Sequence, residues 1–229
     1  MSRKKDPKRG TVITGWHFAE DDMRLGYNDM RKIRKGGTLS VSGKPKLCGR
    51  GLHCSERIMD ALGYSRGNRI CRVEVWGDLA VGDDKACGTH RKCLWHIDAT
   101  NLLYEFACRE AEDALALAGN PDPRSVAAIK ARRDWIAGKI TDKELAWAAR
   151  AASATSAARA AWPASAVSVT SAAWAARAVS ATRAASAASA VSATSAASAA
   201  RAARAASAAQ NRRLSQIILA AHRKQGGNQ

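Results

Sequence analysis

The sequence predicts an α+β fold in which a small, mostly antiparallel sheet domain with helices precedes an alanine-rich helical repeat region. In residues 11–119, short apolar runs alternate with Gly-rich turns, which is typical of antiparallel strands joined by short loops. In residues 147–210, every third residue is Trp, Arg, Ser or, at the end, Gln, and most residues between are Ala. Because Ala has the highest helix propensity, this second region favours helix.

The strand predictions rest on short apolar or alternating runs that end at turn residues. They cover residues 11–18, 38–41, 69–76 and 92–98. In the 69–76 segment, Cys71, Val73 and Val75 share one face, and Arg72, Glu74 and Trp76 share the other. One face of this strand is therefore expected in the core.

Helices are predicted where capping residues precede apolar residues at helical spacing. A short helix at 55–64 would have Ser55 as its N-cap, and a longer one at 98–119 would be capped by Asp98 or Thr100. The apolar face of the longer helix is predicted to consist of Leu103, Phe106, Ala107, Ala111 and Ala114.

Composition shifts divide the chain into five parts. These are a basic disordered tail (1–10), the α+β head (11–119), a helical connector (120–146), the array (147–210) and an amphipathic C-terminal helix with its tail (211–229). In the connector, Ser125 can cap one helix, and Thr141 with Glu144 forms a capping box for the next. The C-terminal helix is expected to dock through Leu214, Ile217, Ile218 and Ala221.

The period of three does not match the α-helix. Each three-residue step turns about 300° around the axis, so the marked residues spiral and form no fixed face. We expect a helix that is kinked or restarted, packed as a hairpin or bundle. A solenoid with 12 residues per coil is the alternative, because Val-Ser-x-Thr groups recur every 12 residues. Disorder is a third possibility.

The charge predicts a polyanionic partner. The formal net charge is +17, and no Asp or Glu follows Glu144. The arginines expected to contact nucleic acid are Arg150, Arg159, Arg177, Arg183, Arg201, Arg204, Arg212 and Arg213. No apolar run reaches the length of about 18 residues that a membrane span needs, and the basic N-terminus lacks the apolar segment of a secretory signal. The expected compartment is the cytoplasm, with no membrane partner.

Two clusters in the head contain residue types that suit a metal site or an anion pocket. Thiol and imidazole groups that suit Zn²⁺ occur at Cys48, His53, Cys54, Cys87, His90 and Cys93, although no cofactor is expected because their spacing lacks paired C-x2-C motifs. The other cluster, His53, Ser55, Asp84 and Lys85, could form an anion or nucleotide pocket with His53 as a general base. In each case ordinary structural roles are the competing interpretation.

The segments GWHF (15–18), CGRGLHCSERIMDALGY (48–64), CRVEVWGDLAVGDDK (71–85) and ATNLLYEFAC (99–108) resemble an uncharacterised domain found in phages, prophages and bacterial genomes. Many of its members resemble this chain further on, with Ala-rich WAARAA arrays closed by a segment like AQNRRL (209–214). The resemblance implies signature positions at Gly15, Trp16, His17, Cys48, Gly51, Leu52, His53, Ser55, Gly82, Asp83, Asp84 and Lys85. It implies no established activity.

From these observations we expect a non-enzymatic binding protein of phage or mobile-element type. Its partner would be nucleic acid or a nucleoprotein complex, including a host defence complex. One alternative is a nucleotide-like ligand-binding protein or transferase-type enzyme that uses the head. The other is a structural spacer that forms a homo-oligomer through the array.

Overall fold

A computed structural model describes residues 3–6, 8–26, 29–117, 122–153 and 193–226. The fold is mixed α+β, with an antiparallel sheet followed by helices, as the sequence predicted. The chain divides into two compact units, residues 1–100 with 221–229, and residues 101–220. Among the described residues, no helix is both long enough and apolar enough to span a bilayer.

The first unit contains the strands. In chain order they are β1 (Arg3–Asp6), β2 (Gly10–Ala19), β3 (Arg24–Gly26), β4 (Asp29–Lys32), β5 (Thr38–Ser40), β6 (Leu52–Cys54), β7 (Arg69–Val81) and β8 (Ala86–Asp98). The main sheet has the order β1-β2-β7-β8-β5, and β6 also pairs with β8. The strands β3 and β4 form a separate hairpin. Residues 3–6, predicted as part of a disordered tail, pair along the edge of β2 instead.

The hairpin of β7 and β8 forms the centre of the sheet. Both strands are 13 residues long, longer than the predicted segments 69–76 and 92–98. The turn between them is closed by a 2.8 Å hydrogen bond from the Gly82 amide to the Lys85 carbonyl. The predicted alternation is confirmed, since Cys71, Val73 and Val75 are completely buried.

Segment 52–55 links β2 and β8, two strands that β7 separates in the sheet order. The strand β6 pairs with residues 86–88 of β8, and Ser55 exchanges two backbone hydrogen bonds with Trp16 of β2. Gly15 permits this approach, because a Cβ atom there would lie 2.8 Å from the Ser55 carbonyl oxygen. The segment therefore encloses part of the sheet's apolar face.

That face forms the core of the first unit. Buried residues from the strands and from the 20–50 region pack together. They are Ile13, Ala19, Ile33, Cys54, Cys71, Val73, Val75, Ala86 and Cys93. These side chains are mostly small, which fits a sequence with only 5% aromatic residues.

The first helix differs from the prediction at its start. It is α1 (Ile58–Gly63), and its N-cap is Arg57, with no side-chain capping bond. Ser55 does not cap it because its backbone is committed to Trp16. The end at Gly63 is as predicted.

The next two helices follow the predicted order. The helix α2 (Thr100–Leu117) starts where Asp98 Oδ1 accepts from the Thr100 amide at 2.9 Å. The helix α3 (Pro123–Ile136) is capped by Asp122, not by Ser125 as predicted. Asp122 takes this role because Pro123 suits the first helical position, where no amide donor is needed. On α2, Leu103, Phe106 and Ala111 are buried as expected.

Two further helices contain the described parts of the array. They are α4 (Asp142–Ser153) and α5 (Ala193–Gly226). The predicted capping box is confirmed at α4, where Glu144 Oε2 accepts from the Thr141 amide at 2.7 Å. Residues 154–192 lie outside the described residues, so the choice among helix, solenoid and disorder for that stretch stays a prediction. In the predicted C-terminal stripe, Leu214 and Ile218 are fully buried.

Candidate functional site

An arginine is buried on the core face of the sheet. Arg91 of β8 is 3% exposed, and its Nη1 atom donates to the His53 carbonyl oxygen at 2.8 Å. Its Nη2 atom has no hydrogen-bond partner within the described ranges. Among the described residues Arg91 makes no salt bridge, so a cation is held in the interior without a paired carboxylate.

Two histidines lie within electrostatic range of Arg91. Burial lowers the pKa of His17 well below its ordinary value, and the nearby charge of Arg91 and then His53 lower it further. Burial also lowers the pKa of His53, with smaller effects from Arg91 and Lys85. Both imidazoles are therefore neutral at neutral pH, and each has a buried Nε2 atom without a partner. We call His17, His53 and Arg91 the interior polar cluster.

The predicted pocket of His53, Ser55, Asp84 and Lys85 is only partly assembled. Tyr64 donates a hydrogen bond to Asp84, and the Lys85 ammonium lies 4.1 Å from the centre of the Tyr64 ring. Hydrogen bonds with Cys48 and Tyr64 raise the pKa of Lys85. Ser55 is 2% exposed and is held by its backbone. Lys85 and Asp84 thus meet at Tyr64, with His53 in electrostatic range of Lys85.

The predicted zinc ligands have different surroundings. Cys48 is exposed, whereas Cys54, Cys87 and Cys93 are buried. His90 stacks on Trp76, with ring centres 5.6 Å apart. Within the part of the chain that the structure describes, no group of three or more His, Cys, Asp or Glu side chains could hold a metal ion.

The predicted nucleic-acid arginines have different environments. Arg150, Arg204 and Arg212 are exposed on helices. Arg213 instead donates to Glu110 at 2.6 Å and to Asp113 at 2.8 Å, so it stabilises the packing of α5 against α2. Arg201 lies in α5, and Arg159, Arg177 and Arg183 fall outside the described residues.

A stretch of the head that sequence reasoning missed has the highest density of exposed cations among the described residues. Residues 30–51, which we call the basic segment, contain seven Lys or Arg and no Asp or Glu. All seven side chains are exposed. They are Arg31, Lys32, Arg34, Lys35, Lys44, Lys46 and Arg50. A count of charged residues over short windows of the sequence would have identified the basic segment.

Arg31 is the exception within the basic segment. Its guanidinium forms hydrogen bonds of 2.7–3.1 Å with both carboxylate oxygens of Asp29. The other six cations make no salt bridge with a described residue. Six positive charges are therefore available to an external anion.

The comparisons with known proteins identify the head alone. No curated protein and no solved structure matches the chain. Residues 13–105, which contain both the interior polar cluster and the basic segment, match a domain of unknown function, DUF7666.

Proposed function

We propose that the protein is a non-enzymatic nucleic-acid-binding protein that uses the exposed cations of the basic segment and of the Ala-rich array. The basic segment carries this proposal. Six exposed cations that have no acidic partner in the described part of the chain lie within 20 residues, and such clusters are the electrostatic signature of phosphate-backbone contact.

The energetics favour a polyanion over a single small anion at this surface. Each Lys or Arg that neutralises a phosphate releases condensed counterions, and this gain is repeated along the backbone. Exposed cations of this kind position a protein on the phosphates without reading base sequence. We therefore expect binding with little sequence preference and strong salt dependence.

The array and the C-terminal helix extend the same charge pattern. Arg204 and Arg212 are exposed on α5, and no acidic residue follows Glu144 in the sequence. One proposed target of these exposed cations is a nucleoprotein complex of the host's defence. A protein of phage or mobile-element type would meet it in the bacterial cytoplasm.

Binding to labelled nucleic acids tests the proposal. The full chain is titrated against duplex DNA, single-stranded DNA and single-stranded RNA at low and at physiological salt, with fluorescence anisotropy as the readout. We expect binding at low salt that weakens at higher salt. Absence of binding to all three at low salt would refute the proposal. Light scattering on the same sample tests the alternative role as a self-associating spacer, which predicts oligomers without nucleic acid.

A further inference from the structure

The guanidinium of Arg91 is a buried charge that the described protein groups leave uncompensated. Burial lowers the pKa of Arg91, but an arginine side chain stays protonated in proteins. Only Nη1 has a hydrogen-bond acceptor, the carbonyl of His53, whereas Nη2 is buried without one. Buried cations are normally paired, because removing an unpaired charge from water is costly.

The nearest acidic groups do not supply that pairing. Asp29 is in electrostatic range of Arg91, but both of its oxygens bind Arg31. Burial raises the pKa of the Cys54 thiol to about 12, so this thiol is neutral. A hydrogen bond from Cys71 lowers the pKa of Cys93, but the Cys93 Sγ atom donates to the Trp95 carbonyl oxygen at 3.5 Å, so this thiol carries its proton.

The two histidines add buried nitrogens without a described partner, within electrostatic range of Arg91. A neutral imidazole has one donor and one acceptor nitrogen. A hydrogen bond with the backbone of Gly51 opposes part of the effect of burial on the pKa of His53. Because Nε2 has no partner among the described residues, this bond uses Nδ1 as its donor. Nε2 of His53 is then an acceptor, whereas Nε2 of His17 has no partner that fixes its role.

This combination of groups fits a hydrogen phosphate better than a carboxylate. Oxygens of the phosphate accept from the guanidinium of Arg91 and from His17, and the remaining P–OH donates to Nε2 of His53. A carboxylate has no donor for His53 at neutral pH. Arginine also matches phosphate geometry with paired donors.

We propose that Arg91, His17 and His53 bind a phosphate group, either inorganic phosphate or the terminal phosphate of a small phosphorylated metabolite, inside the sheet domain. The site is separate from the proposed nucleic-acid surface. Arg91 is 3% exposed, so the internal phosphodiesters of a polynucleotide cannot reach it. Lys85 adds positive charge on the side of His53.

Calorimetric titration of the full chain with inorganic phosphate, a mononucleotide and acetate tests the assignment, at constant ionic strength in chloride buffer. We expect phosphate or the mononucleotide to bind and acetate not to bind. A 5′-phosphorylated oligonucleotide compared with its unphosphorylated form separates this site from the surface. The two proposals can fail separately. Loss of nucleic-acid binding at the surface would leave phosphate binding by Arg91 untouched, and absence of phosphate binding would leave the nucleic-acid surface untouched.

Four variants locate the site. Arg91→Met should abolish phosphate binding, whereas Arg132→Met, at another buried arginine, should retain it. His53→Ala keeps the cation and should weaken binding about tenfold or more, because one hydrogen bond to a charged ligand is lost. Cys93→Ala should leave phosphate binding intact.

Phosphorus NMR line broadening gives a readout that does not depend on protein stability, and far-UV circular dichroism confirms folding of each variant. The proposal is overturned if neither phosphate nor the mononucleotide binds at millimolar concentration. It is also overturned if folded His53→Ala binds as tightly as the natural sequence, or if Arg91→Met still binds.

Discussion

Truncating Glu110 should destabilise the second unit much more than the same change two residues further along α2. Glu110 is 1% exposed, and its carboxylate accepts from Gln210 Nε2 at 2.7 Å and from Arg213 Nη1 at 2.6 Å. Both donors belong to α5, so this carboxylate ties α5 to α2 across about 100 residues of sequence. Glu112, in contrast, forms an exposed ion pair with Arg133.

The magnitude follows from burial. A hydrogen bond to a charged group contributes about 1.5–3 kcal/mol when it is buried. The Arg213 side chain is 38% exposed and keeps its bond to Asp113, so its contribution is reduced by solvent screening. Glu110→Ala should therefore cost about 2–4 kcal/mol. Glu112→Ala should cost about 0–1 kcal/mol, the usual range for an exposed pair.

Urea unfolding followed by far-UV circular dichroism measures both losses, and hydrogen exchange of α5 shows whether the effect is local. We expect the amides of α5 to lose protection in Glu110→Ala and to keep it in Glu112→Ala. Losses that agree within about 0.5 kcal/mol, the usual limit of additivity, would refute the idea that the buried carboxylate anchors α5.

Three further predictions concern the sheet and the connector. Gly15→Ala should lower stability by about 1–3 kcal/mol, because the added methyl would force Ser55 away; an unchanged melting temperature would contradict this. Burial holds the pKa of His17 below its ordinary 6.5, so the titration of His17 does not change the free energy of unfolding above that pH. As the pH falls below 6.5 the unfolded chain takes up a proton that the folded chain does not, and stability drops until the folded-state pKa is reached. His17→Gln should flatten this drop in urea unfolding measured across acidic pH, and an equally steep drop in the variant would assign it elsewhere. Thr141→Ala should lower stability by about 1 kcal/mol, because the Thr141 hydroxyl accepts from the Glu144 amide and caps α4. The loss should appear as faster amide exchange in the first turn of α4, and protection equal to that of the natural sequence would show that this hydroxyl does not stabilise the helix.

Local patterns predicted the local structure. The alternation at Cys71, Val73 and Val75 marks a buried face whatever the strand pairs with, so the sequence alone was sufficient. The capping box at Thr141 was predictable for the same reason, because its two hydrogen bonds span three residues.

Long-range pairing explains what was missed. Ser55 has the residue type and position of a helix cap, but its backbone pairs with Trp16, and nothing near Ser55 in the sequence signals that partner. The burial of Arg91 has the same origin. On its strand Arg91 resembles an ordinary surface charge, and it becomes an interior group because its guanidinium is held by the β6 residue His53.

The same limit applies to the charged residues. Arg213 belonged to the set predicted to contact nucleic acid, yet its partners Glu110 and Asp113 lie 100 or more residues away in the sequence. A net-charge count treats such an arginine as able to bind an external anion, although it already forms ion pairs within the protein. Apart from Arg31, the exposed cations of the basic segment have no such partners among the described residues, which makes them the stronger candidates for binding.

The salt dependence of nucleic-acid binding distinguishes a defined binding surface on the basic segment from attraction by net charge alone. A variant with Lys32, Lys35, Lys44 and Lys46 changed to Gln is compared with the natural chain and with a control in which four ion-paired cations are changed to Gln. The control cations are Arg57, Arg109, Arg124 and Lys130. Both variants lose the same charge. We expect the slope of log affinity against log salt to fall by about one per lost phosphate contact in the first variant and to stay near the natural value in the control. Equal slopes in the two variants would mean that net charge alone attracts the nucleic acid, and the basic segment would not be its binding surface.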